Sequence, residues 1–167
     1  MINLKGRKVA ITGGSSMIAR HLVPVLKNRG AIPYLIYHTD YDLREYTDCI
    51  HALDWNVDYL IHTATYSGGI RFNIDFPADT FINSSLMNLN VLRAANTLGI
   101  RKVLGVMSNC CIPNLLTFNE EHLWNGQCGP TVECHGVAKR NLDVAARCLN
   151  KQYGLNAVNT IMVNSFG

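Results

Sequence analysis

The sequence predicts an α/β protein: a Rossmann-like, doubly wound parallel sheet of about six strands between two helical layers. Three observations carry this. An apolar run, Val9-Ala10-Ile11-Thr12, breaks on Gly13-Gly14 and resumes at helical spacing. Apolar runs alternate with helix-length amphipathic segments along the chain, the pattern of a parallel sheet built from crossover units. The 167 residues are 48% hydrophobic and 16% charged, which suits one sizeable core and a single domain over 1–167.

The first turn reads as strand, phosphate turn and helix. In a dinucleotide-binding unit this turn brings backbone N–H groups to a pyrophosphate at a helix N-terminus, and glycines permit the close approach. Gly13 suits the tight turn and Ala19 the close helix packing, while Ser16 stands where a middle glycine is expected. Gly13, Ser15, Ser16, Met17 and Ile18 are the candidate phosphate contacts. Ser16 also suits an N-cap. An unliganded Gly-Gly-Ser-Ser loop fits the same residues.

A helix follows over 18–29, stopped by Gly30, with Pro24 expected to bend it. The second strand spans 31–37, with Pro33 near its start. An acid closing this strand would hold the ribose hydroxyls of NAD. Tyr37 and His38 stand there instead, and His38 tolerates a 2′-phosphate, which tilts the expectation to NADP(H); an ordinary exposed loop histidine is the alternative. Asp42, counted with the cofactor contacts, and Glu45 predict a capping-box start for a helix to about Leu53.

Residues 58–63 form the third strand and 66–75 a glycine-bearing loop. Pro77 opens a long helix ending before Gly99. Residues 102–107 are strand again. After an irregular loop, a helix over 131–153 is stopped by Gly154, and 156–163 make the last strand.

A net charge of +3 without basic runs argues against nucleic acid and membrane surfaces. No apolar stretch nears the ~18 residues of a span, and no secretory pattern opens the chain, so a cytoplasmic location is expected. The six cysteines form no C-x-x-C pair and no zinc spacing; reduced thiols and no metal are expected. Scarce charge predicts apolar surface covered by something else, such as a partner subunit or a missing domain, and a homo-oligomer or a partner chain is expected.

Asp58-Tyr59-Leu60-Ile61-His62-Thr63-Ala64 resembles the D-x-V-x-H-x-A stretch of extended short-chain dehydrogenases, and its His62 and Ala64 join the candidate cofactor contacts. Ser67-Gly68-Gly69-Ile70, Pro77-Ala78-Asp79, Asn90-Val91-Leu92 with Ala94-Ala95, and Ser108-Asn109-Cys110-Cys111-Ile112-Pro113 resemble segments of the GDP-L-fucose synthase family. So do Glu120-Glu121-His122-Leu123-Trp124-Asn125-Gly126, Gly129-Pro130-Thr131 and Glu133. The likeness is colinear from about Val9 to Gly167.

The resemblance implies an NADPH-dependent epimerase/reductase acting on a 4-keto-6-deoxy GDP-sugar. It carries the family's catalytic serine to Ser108, its lysine to Lys139, where the nicotinamide ribose would bind, and its epimerising cysteine to Cys110. Each has a plainer reading: a strand-end cap, a solvated helix charge and a small buried hydrophobe. The resemblance also implies a dimer through two long helices, for which 77–98 and 131–153 are the candidates; packing wholly against the sheet is the alternative.

His135 occupies the place of the family's tyrosine, four residues before Lys139. A tyrosine there, with its pKa lowered by the ammonium, hands a proton to the substrate carbonyl. Imidazole is shorter, and the ammonium favours its neutral form. The sequence stops at Asn164-Ser165-Phe166-Gly167, where the family continues into a substrate lobe. A nucleotide-sugar epimerase/reductase domain impaired as a lone chain is therefore expected, the alternative being an inactive Rossmann-fold module with a binding or structural role in a larger assembly.

Overall fold

The computed structural model describes residues 2–113 and 119–163; the closing Asn164-Ser165-Phe166-Gly167 stretch lies outside them. Five strands, β1 (Lys8–Thr12), β2 (Ile32–Ile36), β3 (Tyr59–His62), β4 (Lys102–Ser108) and β5 (Ala157–Met162), pair in the order β2-β1-β3-β4-β5. All four pairings are parallel. Register places Thr12 beside both Ile36 and His62, and His62 beside Gly105. The chain therefore leaves β1 in one direction for β2 and returns to the other side for β3. That reversal opens a crevice beyond the carboxyl ends of β1 and β3.

The strands alternate faces. Ala10, Leu60, Val103 and Met107 meet α2 (Tyr46–Leu53), α4 (Pro77–Thr97) and α5 (Glu133–Tyr153) in the larger core. Val9, Ile11, Ile61 and Val106 meet Ala19 and Leu26 of α1 (Met17–Asn28) on the opposite face. Ile11, Leu60, Leu92 and Leu142 are essentially inaccessible, each stabilising the fold by roughly 1.5–3 kcal/mol through burial. Beyond α1, Val158 of β5 is 45% exposed.

Local signals acted largely as their chemistry directs. Ser16 caps α1 by accepting from the Ala19 amide at 3.1 Å, Pro77 occupies the first turn of α4, and Gly154 ends α5 in the left-handed region at φ 78°. Pro24 sits within α1 without ending it.

Three expectations are corrected. The described sheet has five strands where about six were expected. Within the expected loop over 66–75, Ile70–Asp75 form a short helix, α3, because Phe72 stacks between Tyr66 and Phe76 at 5.6 and 5.0 Å. Asp42 and Glu45 make no capping box. Helix α2 begins at Tyr46, and Glu45 makes no side-chain cap bond. The Asp42 carboxylate is instead taken by the Arg44 amide and guanidinium.

Helix α5 approaches the short 3-10 turn after β4 (Asn109–Cys111) so closely that Gly136 has no room for a side chain. A β-carbon there would meet the Cys110 carbonyl oxygen, and Cys128 Sγ at 2.8 Å. In an open helix Gly→Ala gains up to ~1 kcal/mol. Here overpacking against backbone costs roughly 1–3 kcal/mol and dominates. Gly136→Ala is expected to lower stability by about 1–2 kcal/mol in a urea titration; a gain would show that the two elements separate freely.

Candidate functional site

Two cavities occupy the crevice. The larger, about 610 Å³, lies over the β1–α1 turn and the residues beyond β2. Gly13, Ser15, Ser16, His38, Asp42, Arg44 and Ala64 are among its walls. The smaller, about 320 Å³, is lined by Met17, Ile18, Ser108, His135 and Lys139 among others. Thr63 and Thr65 border both. They form one elongated site, running from the β2 side across the start of α1 to the end of β4.

The turn is built for close approach. Gly13 stands at φ 70°, and a β-carbon on it would press on Thr63 Oγ1 at 2.9 Å. Ser16 N–H donates to the Gly13 carbonyl at 2.9 Å. The amides of Ser15, Met17 and Ile18 have no acceptor among the described residues. These donors at a helix N-terminus suit an anion. Ser16 does not spoil the turn, since its φ of −70° and ψ of 157° need no glycine and its hydroxyl caps the helix. The residues present therefore fit a dinucleotide's pyrophosphate.

At the outer end, Arg44 donates to both carboxylate oxygens of Asp42, its Nη2 at 2.6 Å and its Nε at 2.8 and 3.0 Å. That pairing holds the Asp42 carboxyl below the usual carboxylate range. Both side chains are about 40% exposed, so the pair contributes only ~0–1 kcal/mol and is open to exchange. Arg44 was not singled out from the sequence. A basic residue in the loop after the second strand is the signal that would have found it.

At the inner end, Ser108 closes β4, accepting from the Cys110 amide at 3.3 Å and donating to Asn109 Oδ1. Lys139 is 3% exposed and its ammonium donates to the Val106 carbonyl at 3.0 Å. Burial lowers its pKa to about 8. His135 is 9% exposed, and its buried Nδ1 has no partner among the described residues. Burial first, and then the Lys139 charge, hold its pKa at about 4. Burial as well as the neighbouring charge therefore favours the neutral imidazole.

Two expected contacts lie elsewhere. Cys110 lines neither cavity and sits half-buried on the turn after Ser108. His62 is wholly buried and also lines neither cavity; it lies beneath the site. Thr12 Oγ1 accepts from the Thr63 and Ala64 amides, both at 3.1 Å, which occupies both lone pairs. Its hydrogen therefore goes to His62 Nδ1 at 2.8 Å, so Nε2 carries the imidazole hydrogen and donates to Asn88 Oδ1 at 3.0 Å. Asn88 Nδ2 in turn donates to the Ala138 carbonyl at 2.9 Å. Burial, helped by the Lys139 charge, pushes His62 down to about 3.

Asn88 and Thr12 were not identified from the sequence. The polar spacing Thr80, Ser84, Asn88, repeating every four residues, was the available signal. Among the described residues no His, Cys, Asp and Glu cluster suits a metal ion, and no helix is long and apolar enough to cross a membrane.

Residues 9–167 match the model of the NAD dependent epimerase/dehydratase family. A probable GDP-L-fucose synthase of Drosophila melanogaster is 29% identical over 96% of this chain and 52% of its own length. The GDP-L-fucose synthase of Dictyostelium discoideum is 27% identical over the same shares. The solved GDP-L-fucose synthetase of Naegleria fowleri bound to NADP superposes with a TM-score of 0.86 at 24% identity, covering 99% of this chain and 56% of that one. The chain spans about half the length of the curated relatives it matches.

The two depressed histidines predict a stability profile. Above pH ~6.5 each imidazole is neutral in the folded and unfolded chain and contributes no pH dependence. As pH falls below that value the unfolded chain takes up a proton on each, while folded His135 and His62 resist until about 4 and about 3. Stability is therefore lost on acidification. Between pH 7 and 5 a loss of about 4 kcal/mol is expected in urea titrations, roughly halved in His135→Gln. A flat profile would show that both rings reach water.

Proposed function

The chain belongs to the NAD dependent epimerase/dehydratase family, and on that premise we propose that it binds NADP(H) and handles a 4-keto-6-deoxy GDP-sugar in the manner of a GDP-L-fucose synthase, with a weakened reduction step. The observation that carries this is the pair of cavities meeting at Thr63 and Thr65 over the sheet's reversal point. That length suits a dinucleotide better than a mononucleotide. The free amides at the start of α1 lie midway along it.

A bound NADPH supplies the hydride. The chain's own groups divide the remaining work. Ser15, Met17 and Ile18 amides take the pyrophosphate, helped by the α1 dipole. Gly13 and Ala64 permit its approach. Arg44, exchanging Asp42 for a stronger anionic partner, takes the 2′-phosphate in two-pronged fashion with His38 beside it. Lys139 keeps two ammonium hydrogens beyond the one on Val106, and these suit the nicotinamide ribose hydroxyls. The Ser108 hydroxyl holds the ketone oxygen; Cys110, two residues on, lines neither cavity and is given no part in the proton chemistry. His135 offers a hydrogen bond from a neutral ring and no acidic proton at neutral pH.

Loss of a matched general acid typically removes ~10²–10⁴-fold in rate. The same histidine supports a second reading, a dinucleotide-binding module without turnover. The two are separated by NADPH oxidation with GDP-4-keto-6-deoxymannose. Detectable turnover at least ~10²-fold below that of a tyrosine-bearing relative is expected; none at all favours the module.

Calorimetric titration tests the binding itself. NADPH is expected to bind at micromolar concentration, about 8 kcal/mol, with NADH at least ~10-fold weaker. Arg44→Ala should bring NADPH to the NADH value and leave NADH unchanged. No heat from either nucleotide at millimolar concentration would overturn the reading.

A further inference from the structure

We propose that His62 is a positioning residue for Lys139, acting through Asn88 and the Ala138 carbonyl to set the rotation of α5 about its axis. The functional weight of this rests on the role assigned to Lys139 above. The linkage itself stands on hydrogen bonds in the unliganded chain.

The chain of contacts has one consistent direction. Thr12 Oγ1, saturated as an acceptor by two backbone amides, must donate to His62 Nδ1. The imidazole hydrogen is thereby confined to Nε2, which donates to Asn88 Oδ1 and orients the side-chain amide. With its oxygen committed to β3, Asn88 presents its nitrogen to α5, where it donates to the Ala138 carbonyl. That carbonyl carbon is bonded to the Lys139 nitrogen. The lysine leaves the helix from the clamped point and ends with Nζ on the Val106 carbonyl of β4.

The contacts close a ring. His62 and Gly105 are register partners across β3 and β4, and Val106 follows Gly105. The ring thus passes from β3 to α4, to α5, to β4 and back. Every side chain in it is nearly inaccessible: Thr12 and His62 at 0%, Asn88 at 1% and Lys139 at 3%. Water cannot replace a lost bond there, so removing one member leaves a buried donor or acceptor bare or makes the helix roll. The small neighbours enforce the approach. A β-carbon on Gly105 would run into the Asn159 side chain, and into Leu142 Cδ2 of α5 at 3.1 Å.

A second tie, Asn141 Nδ2 to Ser85 Oγ at 3.2 Å, joins α4 and α5 one turn away and only partly buried. It holds the helices together without fixing Lys139. A variant lacking the His62 link therefore has the means to stay folded with α5 turned.

The test uses the chain without nucleotide, so its outcome is independent of whether NADP(H) binds. Lys139 is followed by carbon NMR of the reductively methylated protein, its signal assigned by loss in Lys139→Arg. The wild type is expected to titrate near 8, its pKa lowered by burial. His62→Leu and Asn88→Leu, checked for an unchanged far-UV spectrum and sheet amide pattern, are expected to move that titration up by at least about one unit as the ammonium reaches water. His62→Gln retains an N–H near the Nε2 position and should keep the wild-type value. A Lys139 titration unmoved in both folded leucine variants overturns the proposal. Should either leucine variant fail to fold, nitrogen NMR of His62 in the wild type decides. Hydrogen on Nε2 with a bare Nδ1 is expected, and hydrogen on Nδ1 overturns the proposal because Thr12 then has no acceptor to orient the chain.

Discussion

Much of this molecule depends on the hydroxyl of Thr12. It has two lone pairs and one hydrogen, all used inside a region closed to water. Its acceptor side holds the amides of Thr63 and Ala64, which bend the chain off β3 and shape the wall between the two cavities. Its donor side fixes the His62 tautomer and through it Asn88. Its backbone carbonyl accepts from Thr63 Oγ1 at 2.6 Å. One buried side chain at the end of β1 thereby couples the phosphate turn, the reversal in the sheet and the helix that carries Lys139. A buried network of this kind is stable only when every member is satisfied, which makes it specific as well as strong.

Close backbone approach is the second constraint. Gly13 lies against Thr63 and Ala64, Gly14 against Leu35 and Tyr37, and Gly136 against the turn after β4. At each a methyl group would push elements apart by tenths of an ångström or more. Interiors packed this densely do not absorb such shifts cheaply. The cavities are what remains where these approaches stop. Their walls combine short polar side chains such as Ser15, Ser16, Thr63 and Thr65 with apolar ones such as Ile36, Phe72 and Met107, which suits a ligand with both phosphate groups and flat rings.

Charge inside the site is one-sided. Lys139 in the site and the adjacent Arg140, which lines neither cavity, are both almost inaccessible, and each rests on a backbone carbonyl, Val106 and Cys111 respectively, with no carboxylate partner among the described residues. The neighbouring histidines answer by staying neutral. Only at the outer mouth does a carboxylate, Asp42, meet a cation, and there the pair is exposed and weak. The site is thus prepared for an anion and poorly equipped to release a proton at neutral pH. That is the physical basis of the proposed reading, nucleotide binding with a weakened reduction step.

The family resemblance implied the vicinity of Ser108, His135 and Lys139; the alternation of strands and helices, the caps at Ser16 and Pro77 and the stop at Gly154 were legible in the sequence itself. They depend on local propensity, period and spacing, which neighbouring residues encode. The inner side of α4 was not legible. Thr80, Ser84 and Asn88 face the interior, while Ile82, Leu86 and Leu89 are 41–52% exposed, the reverse of an ordinary amphipathic helix. Asp42 with Glu45 read as a helix cap for a similar reason, because spacing alone does not say which partner a carboxylate finds. Residues near one another in the chain were enough to tell strands from helices and to order them, α3 apart. Folding alone puts His62 beneath the site, brings Asn88 to α5 and sets Arg44 at the cavity mouth. Those outcomes depend on contacts between residues about 30 to 50 positions apart, and only the packed sheet sets such distances.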